Sequence, residues 1–96
     1  MELNKLCNLC HYISKQKGFW EVEKSTPTKL MLIVTELGEA CEADRLGDKE
    51  NFNEEIADTF IRLCDLCGYL GIDIEKEIEI KMNKNRARPK LHGKKY

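Results

Sequence analysis

The segment Leu30–Asp58, LMLIVTELGEACEADRLGDKENFNEEIAD, decides how this chain folds. It contains two short acidic motifs, Glu36-Leu-Gly-Glu39 and Glu55-Ile-Ala-Asp58, each with two carboxylates three residues apart inside an apolar pattern. Residues at i and i+3 are neighbours on a helix surface, so like charges there repel unless a cation offsets them. The segment therefore predicts two consecutive helices that share a site for a divalent cation.

Outward from this segment, the pattern predicts an all-α bundle of about four helices with short loops and no strands. Candidate capping residues, glycines and a proline mark the helix boundaries. The predicted helices cover about residues 2–17, 26–45, 49–70 and 74–88, and residues 90–96 form a polar, basic tail.

Each central helix carries an apolar stripe with its acidic motif at one edge. The connection around Gly47 is short, so we expect the two helices to pack antiparallel through these stripes. Both acidic pairs would then flank one seam, where four carboxylates converge. The stripes consist of Leu30, Ile33, Val34, Leu37 and Cys41 in the second helix, and of Phe52, Ile56, Phe60, Leu63, Cys67 and Leu70 in the third.

The chemistry of these side chains favours a hard cation. Carboxylate oxygens with no His or Cys nearby select Mg²⁺, with Mn²⁺ as the alternative, over zinc. Residues 36–58 hold nine acidic and two basic side chains, whereas residues 81–96 hold seven basic side chains and no acidic one. This distribution suits a site for both a cation and a polyanion. The competing interpretation is a solvated acidic face.

Length and composition indicate one domain over residues 1–96. So short a chain buries a modest fraction of its surface, which makes support from a second subunit reasonable. The formal net charge of −1 points to no particular partner, and a nucleic-acid partner is not expected. No stretch is long and apolar enough for a membrane span, and the N-terminus does not resemble a signal peptide. Five cysteines without such a signal suggest a reducing cytoplasm.

The acidic motifs and their flanks resemble the MazG-like, all-α nucleoside triphosphate pyrophosphohydrolases. The signature E-x-x-E followed by E-x-x-D lies at Glu36, Glu39, Glu55 and Asp58. The segments GFW (18–20), LIVTELGEA (32–40), GIDI (71–74) and the ending KMNKNRARPKLHGKKY are similar to the short phage and bacterial members. The resemblance covers nearly the whole chain.

This resemblance implies a helical bundle that assembles as a dimer or a dimer of dimers, with an active site shared between subunits. It implies Mg²⁺-dependent hydrolysis of nucleoside triphosphates to the monophosphate and pyrophosphate, by water attacking the α-phosphorus. The four acids would hold the metal. Among them, Glu39 is the expected general base and Glu55 is expected to be essential for activity.

Two further regions are candidates for substrate binding. Lys81, Asn85 and Arg88 are spaced at i, i+4 and i+7, and the resemblance implies phosphate and sugar contacts late in the last helix. The alternative is that these basic residues only complement the helix dipole. Phe19 and Trp20 follow a glycine in a loop, where Trp20 is either a nucleobase stacking platform or an aromatic plug against the bundle.

The cysteines offer a competing function. Two C-x-x-C pairs, Cys7/Cys10 and Cys64/Cys67, could form a structural zinc site, but cysteine on an apolar stripe usually behaves as a small hydrophobe. We therefore favour core packing. The alternatives to an enzyme are a non-catalytic module that binds nucleotide or metal, and a helical interaction protein with structural zinc.

Overall fold

The computed structural model describes residues 2–96 and is all-α over that range. Its helix boundaries confirm the predicted ones to within about two residues. No helix in the described part of the chain combines the length and the apolar character needed to cross a membrane. The helices are α1 (Leu3–Gln16), α2 (Thr26–Arg45), α3 (Lys49–Leu70) and α4 (Ile74–Ala87), followed by a turn over Lys90–Gly93.

Local sequence sets where the helices begin and end. Ser25, Asp48 and Asp73 precede α2, α3 and α4, and each side chain accepts a hydrogen bond from the backbone N–H three residues further on. This satisfies one of the N–H groups that every helix leaves free at its start. Gly71 ends α3 with a φ of 68°, a left-handed conformation that glycine adopts without strain.

α3 lies at the centre of the bundle and packs antiparallel against α2. Two contacts show the direction: Glu36 pairs with Arg62, and Lys29 lies against Tyr69. The earlier residue of α2 thus contacts the later residue of α3, as in an antiparallel pair. The short Leu46–Asp48 connection enforces the same arrangement, as the sequence predicted.

α1 packs on another side of α3, at very short range. A Cβ atom placed on Gly68 would lie 2.6 Å from the Cys7 carbonyl oxygen, so the two backbones nearly touch there. Cys7, Cys10, Cys64 and Cys67 fill the adjoining interface and form one buried cluster. The four thiols thus converge from two helices, and their small volume permits the close approach.

α4 packs against α1 and makes few contacts with the rest of the bundle. The Asn4 amide donates to Asp73 Oδ1 at 2.9 Å, and the Asn4 backbone N–H donates to Glu75 Oε1. The hydrogen bond from Asn4 lowers the pKa of Asp73, and the hydrogen bond from the Lys76 backbone N–H contributes a smaller lowering. The start of α4 is therefore tied to the start of α1.

The prediction that α2 and α3 pack through their apolar stripes is wrong. The buried face of α2 is Ile33, Glu36, Ala40 and Ala43, and of its predicted stripe only Ile33 is buried. Small alanines let the helices approach on that face, whereas the larger side chains stay outside. On the antiparallel pair α2–α3, the wheel angles place the exposed members of both stripes on the same side. We call this surface the open apolar face; it comprises Leu30, Val34, Leu37, Phe60, Leu63 and Leu70, each at least 45% exposed.

Replacing Gly68 with alanine tests the close α1–α3 contact. We expect Gly68→Ala to destabilise the fold by about 1–3 kcal/mol, because its methyl group would meet backbone that cannot yield easily. Gly38 is the matched control, since it lies within α2 and a methyl group added there would meet no neighbouring atom within 4 Å. Gly38→Ala should stabilise by about 0.5–1 kcal/mol. Urea unfolding measures both, and equal effects would contradict the contact.

Candidate metal centre and adjoining cleft

Three of the four predicted acidic residues converge at the α2–α3 seam. One carboxylate oxygen each from Glu36, Glu39 and Glu55 lies within 4.8 Å of the others. Glu36 is buried, Glu55 is half-buried and Glu39 is exposed. We call these three residues the carboxylate cluster. Helices α2 and α3 form it because they cross in register at their acidic motifs.

Asp58, the fourth predicted ligand, is positioned differently. It falls outside the 4.8 Å grouping but is half-buried on α3, one turn from Glu55. Its side chain lines the same cleft as Glu36. Asp58 therefore borders the cluster on the side that a bound molecule would approach.

The cluster carries an electrostatic conflict. A side-chain hydrogen bond with Glu36 raises the pKa of Glu55 to about 7, with further contributions from Glu39 and from desolvation. When all three groups are ionised they can only accept hydrogen bonds. Within residues 2–96, Glu55 Oε2 is buried and has no hydrogen-bond partner. A buried carboxylate oxygen in this state is costly, and a cation would relieve the cost.

One basic side chain already reaches the cluster. Arg62 Nε lies 2.7 Å from Glu36 Oε1, and within residues 2–96 no other basic group comes within 4 Å of these carboxylates. The sequence alone suggests Asp58 or Asp65 as the partner of Arg62. The ion pair with Glu36 depends on the α2–α3 register, which a single helical wheel does not contain.

A cleft of about 590 Å³ adjoins the cluster between α1, α2 and α3. Its size falls within the range of small-molecule sites. Its wall is mainly apolar, from Leu6, Leu9 and Ile13 on α1 and Leu32 on α2. Polar and charged groups enter the wall from α2, from α3 and from the α1–α2 loop: Glu36, Lys29, Asp58, Arg62, Asp65, Lys17 and Lys24.

Trp20 belongs to an aromatic network at this cleft. Its ring stacks on Tyr69 with centroids 4.2 Å apart, and its Nε1 donates to Asp65 Oδ1 at 3.0 Å. His11 Nδ1 lies 2.9 Å from the same carboxylate oxygen. Lys29 Nζ lies 4.2 Å from the Trp20 ring centroid. Trp20 therefore anchors the loop to the bundle and at the same time lines the cleft.

Several members of this network have no role that the sequence alone predicts. His11 has no partner identifiable from sequence, and Asp65 is only an alternative partner for Arg62. Asp65 follows Asp58 by two helical turns, so i+7 spacing along one face of α3 is the available signal. Lys29 precedes Glu36 by the same interval on α2 and carries a similar signal.

The proposed substrate-binding residues of the last helix lie apart from the cluster within this chain. Lys81, Asn85 and Arg88 are exposed, and none of them lines the cleft. α4 packs on α1, and Arg88 Nη1 lies 3.2 Å from His92 Nδ1. Within the described chain, therefore, these three residues do not contribute to the cleft beside the carboxylate cluster.

The cysteine cluster has the properties of core packing. Within residues 2–96 all five cysteines are free, and no three sulfur atoms gather within 4.8 Å. Burial, together with the neighbouring Cys64 thiol, raises the pKa of Cys7 to about 12, and burial raises those of Cys10 and Cys67. These groups remain protonated thiols at neutral pH, and thiolates are the form that binds metal.

The carboxylate cluster fits a hard divalent cation. It supplies three oxygens from two rigid helices, a buried oxygen without a donor, and an adjoining cleft with room for water or phosphate ligands. Comparisons with known proteins add no assignment: no protein-family model, curated protein or solved structure matches the chain.

The raised pKa of Glu55 predicts how the metal-free protein responds to pH. Because the folded-state pKa of about 7 exceeds the ordinary value of 4.5, the folded protein holds an extra proton between them. Stability is therefore lost as pH rises through 7, when the third charge appears. Glu55→Gln removes that charge, so with chelator present it should melt above wild type at about pH 8, and the advantage should vanish near about pH 5.

Glu54→Gln is the matched control, because Glu54 is the exposed neighbour outside the cluster. Its melting temperature should follow wild type across the pH range. Adding Mg²⁺ at about pH 8 should raise the melting temperature of wild type and Glu54→Gln more than that of Glu55→Gln. Parallel pH curves for wild type and Glu55→Gln would contradict the assignment.

Proposed function

We propose that this protein is a Mg²⁺-dependent nucleoside triphosphate pyrophosphohydrolase of the MazG-like type, which releases a nucleoside monophosphate and pyrophosphate. The observation that carries the proposal is the carboxylate cluster beside a cleft of nucleotide size. In this cluster, one oxygen of Glu55 is buried without a hydrogen-bond partner in the described chain. A site for a hard cation next to an apolar, aromatic-lined cleft matches a substrate with a polyphosphate and a base.

In this proposal, the carboxylate cluster and Asp58 hold the cation, with Mn²⁺ as an alternative to Mg²⁺. The bound metal supplies charge neutralisation of the triphosphate and an activated water. Glu39 is the proposed proton acceptor, because it is the exposed member of the cluster and can exchange its proton with solvent. Glu36 and Glu55 are held within the seam and keep the ligand geometry rigid.

The apolar wall of the cleft is the proposed site of the nucleobase, with Trp20 at its edge. One face of the Trp20 ring already stacks on Tyr69. The nucleobase would therefore contact the part of the aromatic network that is open to the cleft. Lys29 brings positive charge to the same place. A stacking contact of this kind tolerates different bases, since every base offers a π-face.

We further propose that the chain works as a homodimer or a dimer of dimers in the cytoplasm. The open apolar face supports this, because six large apolar side chains exposed on one side of the α2–α3 pair are typical of an interaction site. Association would also offer a way to bring Lys81, Asn85 and Arg88 to a substrate. These residues are exposed and lie away from the cluster of their own chain, so we assign their phosphate and sugar contacts to the site of a second copy.

Pyrophosphate release from a panel of ribo- and deoxynucleoside triphosphates with Mg²⁺ tests the activity. We expect turnover by wild type, and a loss of about 100-fold or more in Glu55→Gln, because the metal supplies several kcal/mol of transition-state stabilisation. Asp58→Asn should also lose activity. Glu54→Gln should keep it, since that side chain is exposed and outside the cluster.

The same experiment separates the alternatives. Folded protein that binds Mg²⁺ and nucleotide by calorimetry but turns over none of the panel would make it a binding module and would sink the enzyme proposal. Metal analysis provides a further check, because zinc bound through thiols at one per chain would support the helical interaction protein instead. Wild-type rates in Glu55→Gln would show that the cluster does not hold the catalytic metal.

Charge on the open apolar face tests the assembly. Leu63→Glu should convert wild-type oligomers to monomers in sedimentation or light-scattering measurements, because an uncompensated charge would be buried at the interface. Turnover should fall in parallel if a second copy contributes to the site. Leu46→Glu is the control, since Leu46 is 74% exposed in the α2–α3 connection and off this face. A monomeric, fully active wild type would refute the assembly.

A further inference from the structure

Arg62 holds an unusual position for a basic side chain, because it occupies an oxygen of the carboxylate cluster. Its Nε lies 2.7 Å from Oε1 of Glu36, the only buried charged residue in the described chain. Three carboxylates within 4.8 Å share this single nearby cation. Arg62 is therefore the group that partly offsets the cluster charge in the metal-free protein.

The same side chain faces the cleft. Arg62 lines the cleft together with Asp58, and 41% of its side chain is exposed. A guanidinium carries five N–H donors in a planar fork, and Arg62 contacts the cluster through Nε. A guanidinium in this position can serve a second acceptor as well, and the long, partly exposed side chain can turn away from Glu36 without moving the helix.

A divalent cation and Arg62 compete for Glu36. A metal bound to the cluster would place two positive charges next to a guanidinium already in contact with the Glu36 carboxylate. The more highly charged, more compact cation wins such an exchange, because the remaining carboxylates also favour it. The guanidinium then needs a new anionic partner, and a phosphate accepts its fork through two parallel bonds.

We propose that Arg62 is an exchangeable counter-ion of the metal centre: a divalent cation displaces it from Glu36, and the released guanidinium binds phosphate oxygens in the cleft. This proposal rests on the proposed function for its second step. It makes Arg62 a ligand-sensing group that couples metal binding to polyphosphate binding. It also explains why a basic residue lies beside a site whose purpose is to attract a cation.

Metal titration without nucleotide tests the first step. Arg62→Met keeps an apolar stem and removes the charge. We expect Mn²⁺, measured by electron paramagnetic resonance, to bind this variant about two- to fivefold more tightly than wild type, because a partly exposed ion pair contributes a free energy of that size. Arg62→Lys should restore wild-type affinity. Arg45→Met is the control, since Arg45 pairs on the surface with Glu42. Unchanged or weaker Mn²⁺ binding in Arg62→Met would overturn the exchange.

Inorganic tripolyphosphate tests the second step with the metal present. Arg62→Met should bind it at least about fivefold more weakly than wild type in saturating Mg²⁺, and Arg62→Lys should recover only part of the loss because it lacks the planar fork. Equal binding by all three would overturn phosphate capture. Tighter Mn²⁺ binding in Arg62→Met together with no nucleotide turnover by wild type would uphold the exchange and reject the proposed function. Circular dichroism melts confirm that each variant is folded.

Discussion

The burial of carboxylates at the α2–α3 seam is the constraint on which the rest of the structure depends. Glu36 is 8% exposed, and it lies beside Glu39 and Glu55 in a position where an apolar residue would pack without penalty. Burying ionised groups is unfavourable unless a counter-charge is present. Arg62 offsets one carboxylate, which leaves an anionic surplus in a rigid setting. The helix pair is thus built around a charge that its own residues do not balance.

Small side chains make this arrangement possible. Ala40 and Ala43 bring α2 close to α3, and Gly68 with the four clustered cysteines brings α1 close on another side. The consequence is a core with few large aliphatic residues, since Ile33 and Leu66 are the only ones buried in the described chain. The larger apolar side chains remain outside, where they form the open apolar face. The small side chains at the helix interfaces therefore explain both the close backbone packing and the incomplete core.

Local and tertiary features of this fold differ in how far the sequence predicts them. Helix boundaries depend on local residues such as Ser25 and Gly71, and these were predictable. The acidic spacing predicted that the two motifs converge, and three of the four carboxylates do, although the packing through the apolar stripes on which that prediction rested is wrong. The buried face of α2 was not predictable from hydrophobicity, since alanines give a weaker signal than the leucines opposite. The partners of Arg62 and Asp65 depend on the register between helices. This register is a tertiary property that the sequence of a single helix does not contain.

The charges of the molecule are separated in a way that one chain does not resolve. The acidic seam lies between α2 and α3, whereas the basic side chains of residues 81–96 extend from α4, which is attached to α1. Within residues 2–96 no ion pair joins these two regions, and solvent ions screen any longer-range attraction between them. A polyanionic substrate held by a metal at the seam would add negative charge facing the cleft. The cleft itself contains Lys17, Lys24, Lys29 and Arg62. The proposed second copy would add the basic side chains of residues 81–96, so substrate binding and assembly would each favour the other.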